Sequence, residues 1–119
     1  MSSPTYQHRI LYVGDDLTLL KFLQDALRTC RIVRSPGGSV AHVLIKGVSY
    51  SLLLFEHELT NTTGTELAQF TRTLPHRRRT PIIMLSTHED DRDNRNAGRD
   101  AVKILEAIAR LLDTSGNLS

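Results

Sequence analysis

Apolar runs and helix-spaced apolar positions alternate along the whole chain. Ile10–Val13 is a short apolar run stopped by Gly14-Asp15-Asp16, which predicts a buried strand. Leu20, Leu23 and Leu27 then recur at spacings of three and four, marking one face of a helix over Leu17–Leu27. A second strand is predicted at Arg31–Arg34, ahead of the breaker Ser35-Pro36-Gly37-Gly38. Ser39 is the expected cap of a helix over Val40–Ile45, packed through Val40, Val43 and Leu44 and ended by Gly47. Tyr50–Phe55 is the most apolar run of all; its lack of alternation suits a central parallel strand covered on both faces. His57–Gly64 reads as a polar loop, and Thr63 or Thr65 caps a third helix running to about Leu74. A basic turn, His76-Arg77-Arg78-Arg79, leads to a fourth strand, Pro81–Leu85. The polar stretch His88–Asn96 alternates acid and base as an exposed, self-paired helix face does. Asp100 then caps a final helix to Asp113, striped by Ala101, Leu105, Ile108 and Leu112.

Strand–helix alternation of this kind predicts an α/β fold, a parallel sheet with helices on both faces. Ligands of such sheets sit at the carboxyl ends of the strands. That rule brings Gly14-Asp15-Asp16, Glu56-His57-Glu58 and Ser86-Thr87 to one edge.

Composition narrows the class. The 119 residues, 39% hydrophobic and 24% charged, suit one domain with a real core. Residues 1–8 read as an N-terminal extension, 9–113 as the domain and 114–119 as a flexible tail. A single cysteine, Cys30, excludes an internal disulfide and a cysteine-based zinc site, and it fits a cytoplasmic setting. No run reaches the roughly 20 apolar residues that span a bilayer, so no membrane partner is expected. Net charge is only +2, and no aromatic residues accompany Arg77-Arg78-Arg79, so those arginines read as a solvated loop and nucleic acid is not an expected partner.

The order and spacing of these segments resemble the receiver domain of response regulators, the CheY-like branch of the flavodoxin-like doubly wound folds. The match runs over positions 8–112. Arg9–Asp16 looks like the family's first strand with its acidic pair, and Ser51–Glu56 like the strand ending in the phospho-acceptor aspartate. Gly64 sits where the family has a glycine before the third helix. Thr80–Thr87 looks like the fourth strand with its switch hydroxyl at Ser86, and Ala97-Gly98 like the end of the fourth helix. The resemblance implies a cytoplasmic bacterial module of a two-component phosphorelay, partnered by a histidine kinase or a regulator domain.

The departures fall on the chemistry. Gly14 stands at the first acidic position, Asp15 at the second, and Glu56 at the phospho-acceptor. About eight residues are missing after Gly98, so the fifth strand and its lysine are expected to be absent or truncated; a truncated strand over Ala101–Ile104 would bring Lys103 near the site, but the Asp100 cap and the long stripe favour a helix. A longer carboxylate and a lost lysine should disable in-line phosphoryl transfer. The expectation is therefore a non-enzymatic pseudo-receiver acting by protein–protein docking, with no cofactor required. Asp15, Asp16, Glu56 and Glu58 form the expected acidic pocket, and Asp15, Glu56 and the Glu58 carbonyl a weak Mg²⁺ site. In one variant of this reading Glu56 imitates the phosphorylated state and bonds Ser86. The alternative is a working receiver using Mg²⁺ and a kinase. A fourth strand left at the sheet edge would also offer Pro81–Leu85, or the terminal helix, to a second copy of the chain.

Overall fold

The computed structural model describes residues 7–85 and 101–116, with side chains as far as Leu112. Six strands and four α-helices are described. They are β1 His8–Val13, α1 Leu17–Ala26, β2 Cys30–Ser35, α2 Gly38–Gly47, β3 Leu52–Glu56, β4 Glu58–Leu59, β5 Thr62–Thr63, α3 Gly64–Thr73, β6 Ile82–Leu85 and α4 Ala101–Gly116. A short 3₁₀ turn, Pro75–Arg77, joins α3 to β6.

Four strands make one parallel sheet in the order β2-β1-β3-β6. This is the α/β fold expected from the alternation. The chain leaves β1 toward β2 through α1, then returns past β1 to β3 through α2. The strand order therefore reverses between β1 and β3, and their carboxyl ends flank the crevice where ligands of such sheets bind.

Period-two alternation divides the buried side chains between two faces. Ile10, Tyr12, Leu52, Leu54, Ile83 and Leu85 pack beneath α1 and α4, meeting Leu19, Leu23, Ile104, Ile108 and Leu112. Leu11, Val13, Leu53 and Phe55 face α2 and α3 through Ala41, Ile45 and Leu67. Every residue of β3 is buried, as its unbroken apolar run requires. Cys30 opens β2 as a small buried packing residue, and burial pushes its thiol pKa up.

Local signals placed most helix ends. Asp16 caps α1, its Oδ1 accepting from the Leu19 amide at 3.0 Å. Thr63 caps α3 in a reciprocal box: its hydroxyl accepts from the Glu66 amide, and Glu66 accepts from the Thr63 amide. Four expectations need correction. Helix α2 starts at Gly38, so Ser39 lies inside it and Gly37 is a cap with no side-chain bond. This early start turns the helix so that Ala41 and Ile45 face the core, while Val40 and Val43 are 48% and 69% exposed. The polar loop after β3 contains a hairpin, β4 against β5, turned through Thr60 and Asn61, whose φ of 73° suits asparagine. Finally, α4 continues to Gly116, beyond the expected end at Asp113, because no proline or glycine interrupts its backbone before then.

Residues 101–116 form the helix preferred above, so Lys103 is a helical residue with an exposed side chain. No strand follows β6 among the described residues. The expectations for Ser86, Thr87, His88–Asn96, Ala97-Gly98 and Asp100 lie outside the described residues.

Candidate functional site

The carboxyl ends of β1 and β3 bring Gly14, Asp15, Asp16 and Glu56 to one edge, as predicted. Backbone bonds hold that edge in place. The Gly14 amide donates to the Ser35 carbonyl at 3.1 Å, and Arg34 Nε donates to the Gly14 carbonyl at 2.8 Å. Gly64 comes close from the other side, its amide donating to the His57 carbonyl at 2.7 Å. A Cβ on Gly64 would overlap the Glu56 carbonyl oxygen and lie 2.7 Å from Met84 Cε, so only glycine lets α3 begin so near the end of β3.

Glu56 itself is only 6% exposed. It shares the parity of Leu52 and Leu54 and so points to the same face as Tyr12 on the neighbouring strand. Tyr12 Oη donates to Glu56 Oε2 at 2.6 Å, a distance typical of a hydroxyl on a carboxylate. The same Oη accepts from the Asp16 amide at 2.9 Å. One phenol thus ties the end of β3 to the first turn of α1. Burial, reinforced by the Glu56 bond and opposed by the Asp16 amide, holds the Tyr12 pKa well above its ordinary 10.0, so the proton stays on the phenol.

Gly14 is what makes room for this pair. A Cβ there would overlap Glu56 Cγ and stand 2.7 Å from Tyr12 Oη and 2.8 Å from Tyr12 Cζ. The volume in which an acidic side chain at position 14 would sit is filled by the tyrosine–glutamate pair. Tyr12 carries this arrangement and was missed in the sequence. Its signal was available in principle, since it falls two residues before Gly14 on the same face of β1.

The remaining acidic residues are disposed differently. Asp15 is exposed, and Asp16 is half-buried and spent on the α1 cap. Asp15 and Glu58 line an open cleft of about 170 Å³ with Gly14, Pro36, Leu59 and Thr60; Glu56 does not line it. Among the described residues, no three His, Cys, Asp or Glu side chains are grouped to hold a metal ion. The acidic pocket divides into an outer exposed pair, Asp15 and Glu58, and a buried inner carboxylate, Glu56, hydrogen-bonded by Tyr12. His57 is exposed beside it.

The basic turn departs from its expected form. Arg77 is 5% exposed rather than solvated. Its Nε donates to the Ile45 carbonyl at 3.0 Å and its Nη2 to the Val48 carbonyl, capping α2, while its guanidinium lies 5.9 Å from the centroid of the Tyr50 ring. Arg78 and Arg79 are exposed as expected.

An open parallel sheet with a crevice at the β1/β3 reversal, flanked by helices on both faces, is the architecture of receiver domains, and solved structures bear out that fold. The chain superimposes on a Francisella response regulator receiver domain with a TM-score of 0.76 and 16% identity, covering 92% of this chain and 99% of that one. The chemotaxis response regulator CheY4 of Vibrio cholerae gives 0.73 and 17%, covering 88% and 98%. A receiver domain of a Pseudomonas aeruginosa sensor histidine kinase, with magnesium coordinated in its active-site cleft, gives 0.73 and 19%, covering 88% and 97%. No family model matches the chain, and no curated protein does.

Mg²⁺ needs near-octahedral oxygen donors at about 2.0–2.1 Å. Two positions at this edge bear on that demand. Position 14 offers no carboxylate and no space for one, and Glu56 Oε2 is engaged by the Tyr12 hydroxyl. No helix among the described residues is long and apolar enough to cross a membrane.

Proposed function

We propose that this chain is a receiver-like signalling module that acts by docking a protein partner, a histidine kinase or a regulator domain, and that it neither accepts phosphate nor catalyses a reaction. One observation carries the reading: the 2.6 Å bond from Tyr12 to a buried Glu56, packed into the space above Gly14. An acceptor carboxylate must present an oxygen in line with the phosphoryl group, with cationic groups beside it to neutralise charge in the transition state. Here Glu56 Oε2 accepts a hydrogen bond from the Tyr12 phenol. Glutamate is also one methylene longer than aspartate, a displacement of about 1.5 Å, where about 1 Å can cost on the order of 10²-fold in rate. The bacterial cytoplasm is the setting proposed for it.

The test uses the whole chain with Mg²⁺ and either acetyl phosphate or beryllofluoride. No phosphoryl mass gain is expected, and no saturable movement of the Gly14, Glu56 and Gly64 amide signals. A Mg²⁺-dependent mass gain, or saturable shifts at those amides, would establish a working receiver instead.

A further inference from the structure

At the opposite edge of the sheet lies a depression of about 490 Å³ between the start of β1, the residues entering β3 and the turn entering β6. Its polar lining among the described residues is His8, Ser51, His76, Arg78, Arg79 and Thr80, with no aspartate or glutamate among them. Tyr50, Pro75 and Pro81 supply apolar walls. We infer that this depression is a second binding site, for a small phosphate-bearing anion held by Arg78 and Arg79.

The arginines of this region divide by task. Arg72 and Arg77 spend their guanidinium groups on the protein. Arg72 Nη1 donates to the carbonyls of Arg77, Arg78 and Thr80 at 3.1, 2.8 and 2.8 Å, so three backbone oxygens that would repel an anion are engaged by one cation. Arg77 anchors the same turn to the end of α2. The turn is thereby fixed before any ligand arrives, which lowers the ordering cost of binding. Arg78 and Arg79 are exposed on this clamped turn, and neither has an ion-pair partner among the described residues. Two adjacent guanidinium groups repel each other, and an anion between them relieves that repulsion. Their planar forks suit phosphate oxygens better than a point charge would.

His76 Nε2 lies 3.1 Å from the Lys46 carbonyl, which only accepts, so Nε2 donates there and fixes the ring at the rim of the depression. Ser51 Oγ lies 3.3 Å from His8 Nδ1 and offers a hydroxyl at the floor. Burial raises the Tyr50 pKa, while the nearby Arg9 and Arg77 oppose it. The volume is that of a small-molecule site rather than of a nucleic-acid groove.

The test titrates the full chain with inorganic pyrophosphate, with AMP and with a single-stranded oligonucleotide, by calorimetry and amide NMR at fixed salt. The site predicts saturable pyrophosphate binding, with shifts concentrated at Ser51, His76 and Thr80. Arg78→Gln/Arg79→Gln should weaken it at least about tenfold. Arg28→Gln/Arg31→Gln, an equal charge change at exposed positions elsewhere, should change it less than about twofold. Tighter binding of AMP would assign a nucleotide; equal or tighter binding of pyrophosphate would assign the phosphate group alone. Shifts scattered over the surface, equal losses in both double variants, or binding of the oligonucleotide only, would each overturn the inference. None of these outcomes depends on whether Glu56 accepts phosphate.

Discussion

Replacing Gly14 with alanine tests the logic of the site with a single methyl group. At an unstrained position, glycine to alanine stabilises a protein by about 0.4–1 kcal/mol, because the unfolded chain loses freedom. Gly14 lies outside the left-handed region, so backbone geometry raises no objection. The objection is steric. The new methyl overlaps Glu56 Cγ, a mid-chain atom of a buried residue, and meets Tyr12 Oη and Cζ at 2.7 and 2.8 Å. Overpacking of this kind costs about 1–3 kcal/mol, and displacing the Tyr12–Glu56 bond adds a part of the roughly 1.5–3 kcal/mol of a charged hydrogen bond. Gly14→Ala should therefore destabilise by about 2 kcal/mol, roughly 8 °C in Tm for a domain this size. Glu56→Ala alone is harder to sign, since it loses that bond but also relieves the burial of a carboxylate. The double-mutant cycle does not depend on that sign. With Cγ gone and Tyr12 able to shift, Gly14→Ala should cost at least about 1 kcal/mol less in the Glu56→Ala background. Urea denaturation of the four proteins measures this. A stabilising Gly14→Ala, or equal costs in the two backgrounds, would refute the claim that the pair occupies the space above Gly14.

The raised Tyr12 pKa has a signed consequence for alkaline stability. Below about pH 10 the phenol is protonated in both states and contributes no pH dependence; above it the unfolded chain loses the proton first, so stability falls as pH rises, and Tyr12→Phe should flatten that fall in urea melts between pH 9 and 11. Arg77→Met should cost about 2–4 kcal/mol in the same assay, because it strips the Ile45 and Val48 carbonyls of a buried donor, and Arg77→Lys should recover less than half of that. Thr63→Ala removes one arm of the α3 capping box and should cost about 1 kcal/mol, whereas Thr65→Ala, outside the box, should cost under 0.5 kcal/mol.

The features legible in the sequence are those set within a few residues. The Thr63–Glu66 box spans three positions, the Asp16 cap reaches Leu19, and the β3 run declares its own burial. What escaped depends on distant partners. Tyr12 looks like one more apolar strand residue until Glu56, 44 positions later, is placed beside it. Arg77 looks like part of a solvated run because the carbonyls it caps lie 29 and 32 positions earlier. Helix α2 was rotated by a different cause: Val40, Val43 and Leu44 make a plausible stripe, but the start at Gly38 selects Ala41 and Ile45.

Gly14, Tyr12 and Glu56 are therefore better treated as one packing unit than as three separate residues. A glycine at position 14 alone would leave a void beside a strand end, and an unfilled volume there is destabilising. A glutamate at position 56 without Tyr12 would bury its carboxylate in that void lacking the phenol's hydrogen bond, which is costly for a charged group. A tyrosine at position 12 alone would lack an acceptor for its buried hydroxyl proton. Together, the missing side chain provides the volume, the longer carboxylate and the phenol fill it, and each satisfies the other. It follows that Glu56→Asp by itself should not rebuild a phospho-acceptor: the shortened carboxylate would withdraw from the Tyr12 hydroxyl while position 14 still offered no oxygen. On the proposed reading, the lack of phosphoryl acceptance and the packing of this sheet edge share one cause, so restoring an acceptor requires repacking the edge.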